Sequence, residues 1–191
     1  MANARAEAVA ALETRLGHAF RDHALLERAL THASVSEGAP PGAHGARDNE
    51  RLEFLGDRVL GLLTADRLFR DFPAADEGQL SSTLHALVDK AACAKVGEAW
   101  GVGAALRLSA GETKTGGRRK AGVIADAVEA ILAAVYLDGG LEAARGVYER
   151  GWAGDLAAPP PRRSTATGRW VAVGSAPMSR SVRVLNSMTS G

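Results

Sequence analysis

The chain has one cysteine, Cys93, among its 191 residues. An intrachain disulfide and a cysteine-built zinc site are therefore both excluded. Aromatic residues make up only 5%, and no segment sustains the apolar–polar alternation of a half-buried strand. No apolar run approaches the roughly 18 uninterrupted residues needed to cross a bilayer. The first residues, Met-Ala-Asn-Ala-Arg-Ala-Glu, lack the apolar stretch of a secretory signal. The expectation is a cytoplasmic protein with no membrane partner. Acidic residues also run out early. None follows Asp155, whereas Arg162, Arg163, Arg169, Arg180 and Arg183 do. The formal net charge of +1 thus divides into +5 on the last 34 residues and about −4 on residues 1–157.

What is present reads as helix. Val9, Leu12 and Leu16 share one face of a helix over residues 3–16, and Leu25, Leu26, Ala29 and Leu30 suit a second over 22–31. Residues 36–47, with Gly38, Pro40, Pro41, Gly42 and Gly45, read as a loop. A long helix is expected from Asp48 or Asn49, either a good N-cap, to Phe72, where Pro73 stops it. The next should start at Ser81 or Ser82 and end near Gly97 or Gly101, before a polar loop over 109–120. A helix over 121–137, closed by Gly139-Gly140, and a last one over 141–152 complete the pattern. The fold class is all-α, with one domain over residues 1–157. Residues 158–191, opening on Pro159-Pro160-Pro161, form a basic tail too poor in apolar residues to offset its ordering entropy, and are expected to be disordered.

The chemistry lies in the acids. Residues 49–57 read Asn-Glu-Arg-Leu-Glu-Phe-Leu-Gly-Asp. On a helix, Glu50, Glu53 and Asp57 fall within one stripe, with Leu52, Leu55, Val59, Leu62 and Leu63 expected on the core side. Like charges at this spacing destabilise a helix unless a cation sits among them. Asp126 and Glu129 form a second pair, one turn apart, beside the small residues Gly122, Ala130 and Ala133. Gly61 lies near the first stripe, and small residues let two helices approach closely. Two readings stay open on these grounds. The acids form solvated faces with Arg51 and Arg58 as surface partners, or they converge on a hard divalent ion such as Mg²⁺ or Mn²⁺.

The segment 49–57 resembles the signature of bacterial ribonuclease III. Ile124-Ala-Asp-Ala-Val-Glu-Ala130, followed by Tyr136-Leu-Asp-Gly-Gly140, resembles that family's second acidic motif. Leu30-Thr-His-Ala-Ser34 and Asp76-Glu-Gly78 fall in matching order, and the likeness covers about residues 5–156. The resemblance implies a ribonuclease III-type helical endonuclease domain, working as a homodimer on double-stranded RNA and leaving 5′-phosphate and 3′-hydroxyl ends. It implies Mg²⁺, with Mn²⁺ as substitute, held by Glu53, Asp57, Asp126 and Glu129, of which Asp57 and Glu129 are catalytic. Glu50 and Glu77 would be supporting acids, and Phe54 and Leu55 partner contacts. Processing of ribosomal and messenger RNA precursors is the implied role. Arg58 and Ala133 depart from the family pattern, each standing where a smaller residue is usual. Lys114, Arg118, Arg119 and Lys120 are candidate RNA contacts in a basic loop. His32 reads as structural and Cys93 as a small core residue. The short tail is not expected to form the family's usual double-stranded RNA-binding domain, which leaves RNA affinity weakened.

Overall fold

A computed structural model describes residues 2–36 and 47–154, together with the short pieces 162–163 and 170–171. Eight helices carry the described fold: α1 (Ala2–Leu16), α2 (His23–Ala29), α3 (Glu50–Asp71), α4 (Glu77–Val88), α5 (Lys90–Trp100), α6 (Val102–Ala105), α7 (Ala110–Lys114) and α8 (Ala121–Trp152). The expected loop over 36–47 and the tail lie mostly outside the described residues. Within the tail, Arg162–Arg163 pairs antiparallel with Trp170–Val171.

Local chemistry sets the helix ends. Asp22 caps α2 by accepting from the Ala24 N–H at 2.9 Å. Asp76 and Gln79 form a reciprocal capping box that starts α4 four residues before the expected Ser81. One expected helix over 81–101 is in fact two, because Asp89 leaves the helical conformation (ψ 161°) and its carboxylate caps α5 through the Ala92 N–H. The polar loop over 109–120 also has more structure than expected: Ser109 caps α7, and a 3-10 turn spans Gly117–Arg119. The break expected at Gly139-Gly140 appears inside α8 as a kink at Gly140, whose φ of 79° favours glycine.

Helices α3 and α8 form the most extensive pairing, and α5 and α2 also pack on α8. Leu60, Leu63, Val128, Ile131 and Leu132 are buried between them. Residues 123–135 of α8 are buried except Asp126, so this helix runs through the middle of the core. At its far end Trp152 stacks on Tyr148 (5.2 Å), meets Trp100 edge-on and donates its indole N–H to the Leu87 carbonyl at 2.8 Å. Asp138 ties the α1–α2 connection to α8, accepting from the Asp22 N–H at 2.9 Å and facing His18 Nε2 at 2.8 Å.

Two packing expectations need correction. Leu62, assigned to the core side of α3, is 55% exposed, because the buried face of α3 runs through Leu52, Val59, Leu60 and Leu63. The close approach of α3 and α8 is made by Gly56 rather than by Gly61 or Gly122. A methyl on Gly56 would stand 1.8 Å from the Glu129 carbonyl oxygen, whereas one on Gly61 or Gly122 meets nothing within 4 Å. Cys93, as expected, is fully buried.

Candidate metal centre

The Gly56 crossing explains the site. With no side chain between the backbones at this point, Glu53 sits one turn N-terminal on α3, directly across from Glu129 on α8. Asp126, one turn earlier on α8, completes the group. One carboxylate oxygen from each of Glu53, Asp126 and Glu129 lies within 4.8 Å of the others. The start of α3 is pinned from outside the cleft: the Asn49 N–H donates to the Thr31 carbonyl at 2.9 Å. Thr31 in turn bridges to Arg107, and His32 caps its own turn by accepting from the Ser34 N–H. His32 is thus structural.

Glu53 and Glu129, together with Glu50 and Asp57, line an open cleft of about 550 Å³ with Phe54, Val88, Asp89 and Lys90. Glu129 is 6% exposed. Burial raises its pKa to about 7, and the neighbouring Glu53 and Asp126 charges add to that, with Lys90 and Arg58 opposing. Glu53 is raised in the same way, by burial first and Asp126 second. The Lys90 ammonium donates to Asp126 Oδ1 at 2.8 Å, and its pKa is raised by that hydrogen bond and by the surrounding carboxylates. Beside the cluster, burial pushes the Cys93 thiol up to about 12, so it is an inert neighbour.

One expected ligand, Asp57, and the two expected supporting acids, Glu50 and Glu77, stand apart from the converging group in different ways. Asp57 lines the same cleft, but its carboxylate is paired with the adjacent Arg58, whose guanidinium lies 5.5 Å from the Phe54 ring centre. Glu50 is exposed at the rim. Glu77 is not at the cleft: it accepts from Ser81 Oγ at 2.8 Å in the first turn of α4, and Val88, at the other end, is the α4 residue lining the cleft. At 1.5 Å per residue those two ends are about 16 Å apart.

The basic loop divides as well. Arg118 donates to the carbonyls of Gly103, Ala104 and Leu106 at 2.9, 3.3 and 2.8 Å, closing the end of α6. Lys120 pairs with Glu112 at 2.7 Å, while Lys114 and Arg119 are exposed. Sequence reasoning missed Asp89 and Lys90, because both were placed inside a continuous helix. The available signal was an aspartate followed by helix-forming alanines, the pattern of an N-cap.

Three carboxylates converging from two helices, one of them buried and poised near neutral pH, make an oxygen-only donor set suited to a hard divalent cation. Residues 22–155 match the profile of the family described as Ribonuclease-III-like. The chain belongs to the ribonuclease III family. It is 55% identical over 148 residues to Ribonuclease 3 of Caulobacter vibrioides, a match covering 78% of this chain and 62% of that one. Ribonuclease 3 of Phenylobacterium zucineum is 54% identical over 150 residues, covering 78% and 61%. The chain therefore spans about three-fifths of the length of these curated ribonuclease III relatives. The nuclease domain of ribonuclease III from Campylobacter jejuni superposes with a TM-score of 0.68 at 38% identity, covering 74% of this chain and 93% of that domain. A Dicer structure from Pichia stipitis gives a TM-score of 0.54 at 27% identity, over 73% and 58%. Among the described residues of this family member, no helix is long and apolar enough to cross a membrane.

Proposed function

We propose that this domain is a divalent-metal-dependent endoribonuclease that hydrolyses double-stranded RNA, with Mg²⁺ as cofactor and Mn²⁺ as substitute. The observation that carries the reading is the convergence of Glu53, Asp126 and Glu129 within 4.8 Å. These three hold the metal, and Asp57 joins them when its carboxylate turns from Arg58. Bound there, a divalent cation supplies Lewis-acid activation of water and neutralises charge at the scissile phosphate. Water oxygen becomes bonded to phosphorus, the bond from phosphorus to the 3′ oxygen breaks, and that oxygen takes a proton. The ends are a 5′-phosphate and a 3′-hydroxyl. Glu129 and Asp57 sit closest to the reacting phosphate in this reading, and Glu50 supports the rim. Glu77 acts as an outer acid, away from the cleft of its own protomer.

Phe54 is 69% exposed beside the cleft, while Leu55 is half-buried against the core. An aromatic ring of that exposure at the site's edge supports a homodimer, with Phe54 rather than Leu55 as the contact. Lys114 and Arg119, exposed near the second acidic helix, are the stronger candidates for phosphate contact; Arg118 and Lys120 are already engaged. The cellular reading is a cytoplasmic processing enzyme for ribosomal and messenger RNA precursors. The test is incubation of the purified chain with duplex RNA in Mg²⁺, in EDTA, and as the Glu129→Gln variant. Cleavage only by the unmodified protein with metal supports the reading. Intact RNA in all three, with binding retained, would leave a non-catalytic RNA-binding module.

A further inference from the structure

Among the described residues lining the cleft, Lys90 is the one cation. It is the first residue of α5, placed there because Asp89 breaks the helical run. Its ammonium lies 2.8 Å from Asp126 Oδ1, and Glu53 and Glu129 both act on it electrostatically. The Lys90 side chain is 66% exposed against 24% for Asp126. With two-thirds of the side chain exposed on a flexible stem, the ammonium can leave without disturbing the core.

We propose that Lys90 is a resident counter-ion, which holds the Asp126 carboxylate in the metal-free centre and competes with the divalent cation for it. The inference rests on the metal-dependent reading above. Its physical basis is that one carboxylate cannot serve both cations at full strength. A hard divalent ion takes its oxygens at about 2.0–2.6 Å, while the ammonium already occupies the same group at hydrogen-bond distance. Two like charges on one carboxylate repel, and the ammonium, on a long exposed stem, is the one free to move. Lys90 thus sets the metal concentration at which the centre loads. It is a positioning residue rather than a catalytic one, since it acts through Asp126.

The experiment measures Mn²⁺ binding to the full chain without RNA, by calorimetry, for the unmodified protein, Lys90→Met and Lys90→Arg. Methionine keeps the length and helix propensity while removing the charge. Loss of an exposed competing ion pair tightens Mn²⁺ by about two- to fivefold in Lys90→Met, and Lys90→Arg, which keeps the cation, stays near the unmodified value. Thermal melting in EDTA gives an independent reading: Lys90→Met melts lower, because three carboxylates have lost their counter-ion. Unchanged or weaker Mn²⁺ binding in a folded Lys90→Met protein overturns the inference and leaves the metal-dependent reading standing. No Mn²⁺ binding by the unmodified protein overturns both.

Discussion

Replacing Gly56 with alanine tests the geometry that assembles the site. The added methyl would stand 1.8 Å from the Glu129 carbonyl oxygen and 2.4 Å from its carbonyl carbon, both backbone atoms with no rotamer to escape through. Ordinary contact begins at 3.4 Å, so α3 and α8 must part by about 1.6 Å at their crossing, within a close-packed interior that resists it. Overpacking of a core by one methylene-sized group costs about 1–3 kcal/mol, and contact with rigid backbone places Gly56→Ala at or above the top of that range. For a domain of this size, about 3 kcal/mol lowers Tm by roughly 6–12 °C. The same displacement carries Glu53 away from Glu129, so metal affinity should fall along with stability. Gly61→Ala is the control, because its methyl meets nothing within 4 Å; alanine in a helix there is neutral or gains up to about 1 kcal/mol. The assay is urea denaturation in EDTA, followed by Mn²⁺ titration of whatever remains folded. If Gly56→Ala and Gly61→Ala prove equally stable and bind Mn²⁺ alike, the crossing does not position the site and the reasoning fails.

Glu129 has a folded-state pKa of about 7 against 4.5 for an ordinary glutamate, so its protonated form favours the metal-free fold. That contribution is complete below pH 4.5 and is lost as pH rises through 7, an effect of up to about 3 kcal/mol. In EDTA the protein should therefore melt higher at pH 5.5 than at pH 8, and Glu129→Gln should remove most of the difference; a flat profile in the unmodified protein counts against the buried assignment. Because metal requires the ionised carboxylate, Mn²⁺ binding near pH 6 should release a proton, detectable as a dependence of the calorimetric heat on buffer ionisation enthalpy. Arg118→Ala strips a donor from three carbonyls at the end of α6 and should cost about 2–4 kcal/mol in urea denaturation, whereas Lys114→Ala at an exposed position should stay within about 0.5 kcal/mol; the reverse order would refute the division of the basic loop. Arg58→Ser frees Asp57 to turn to the cluster and should tighten Mn²⁺, and weaker binding would show that Arg58 helps the site instead.

The helices and their acids were legible because both signals are local. Periodicity placed Leu12, Leu16, Leu26 and Leu63 on buried faces, and Pro73 and Gly139-Gly140 marked an end and a kink. Two acidic motifs beside small residues left the pairing of Glu53 with Asp126 and Glu129 open, and the resemblance to ribonuclease III is what selected it. The contact that makes the pairing was not legible. Gly56, Gly61 and Gly122 look alike in sequence, and only the relative rotation of α3 and α8 decides which of them meets backbone. Leu62 was misplaced for the same reason, since helical periodicity defines a face to within a residue or so while the packing partner selects its centre. Lys90 was missed through a different failure: a capping aspartate inside an apolar run was read as helix, so the cation following it had no reason to point anywhere.

The centre's charge balance ties these findings together. Glu53, Asp126 and Glu129 would carry three negative charges in one cluster, where burial already raises the pKa values of Glu53 and Glu129. The fold offsets that cost with the Lys90 ammonium on Asp126, the Arg58 guanidinium nearby and partial protonation of Glu129 near neutral pH. Repulsion offset in this way predicts folding without a divalent ion, in contrast to metal sites whose binding energy is the folding energy. The same arrangement makes the site exchangeable. A divalent cation entering the cleft would turn the tethered Lys90 ammonium away from Asp126 and release the proton that Glu129 holds below about pH 7. Loading would then depend on cation concentration and on pH.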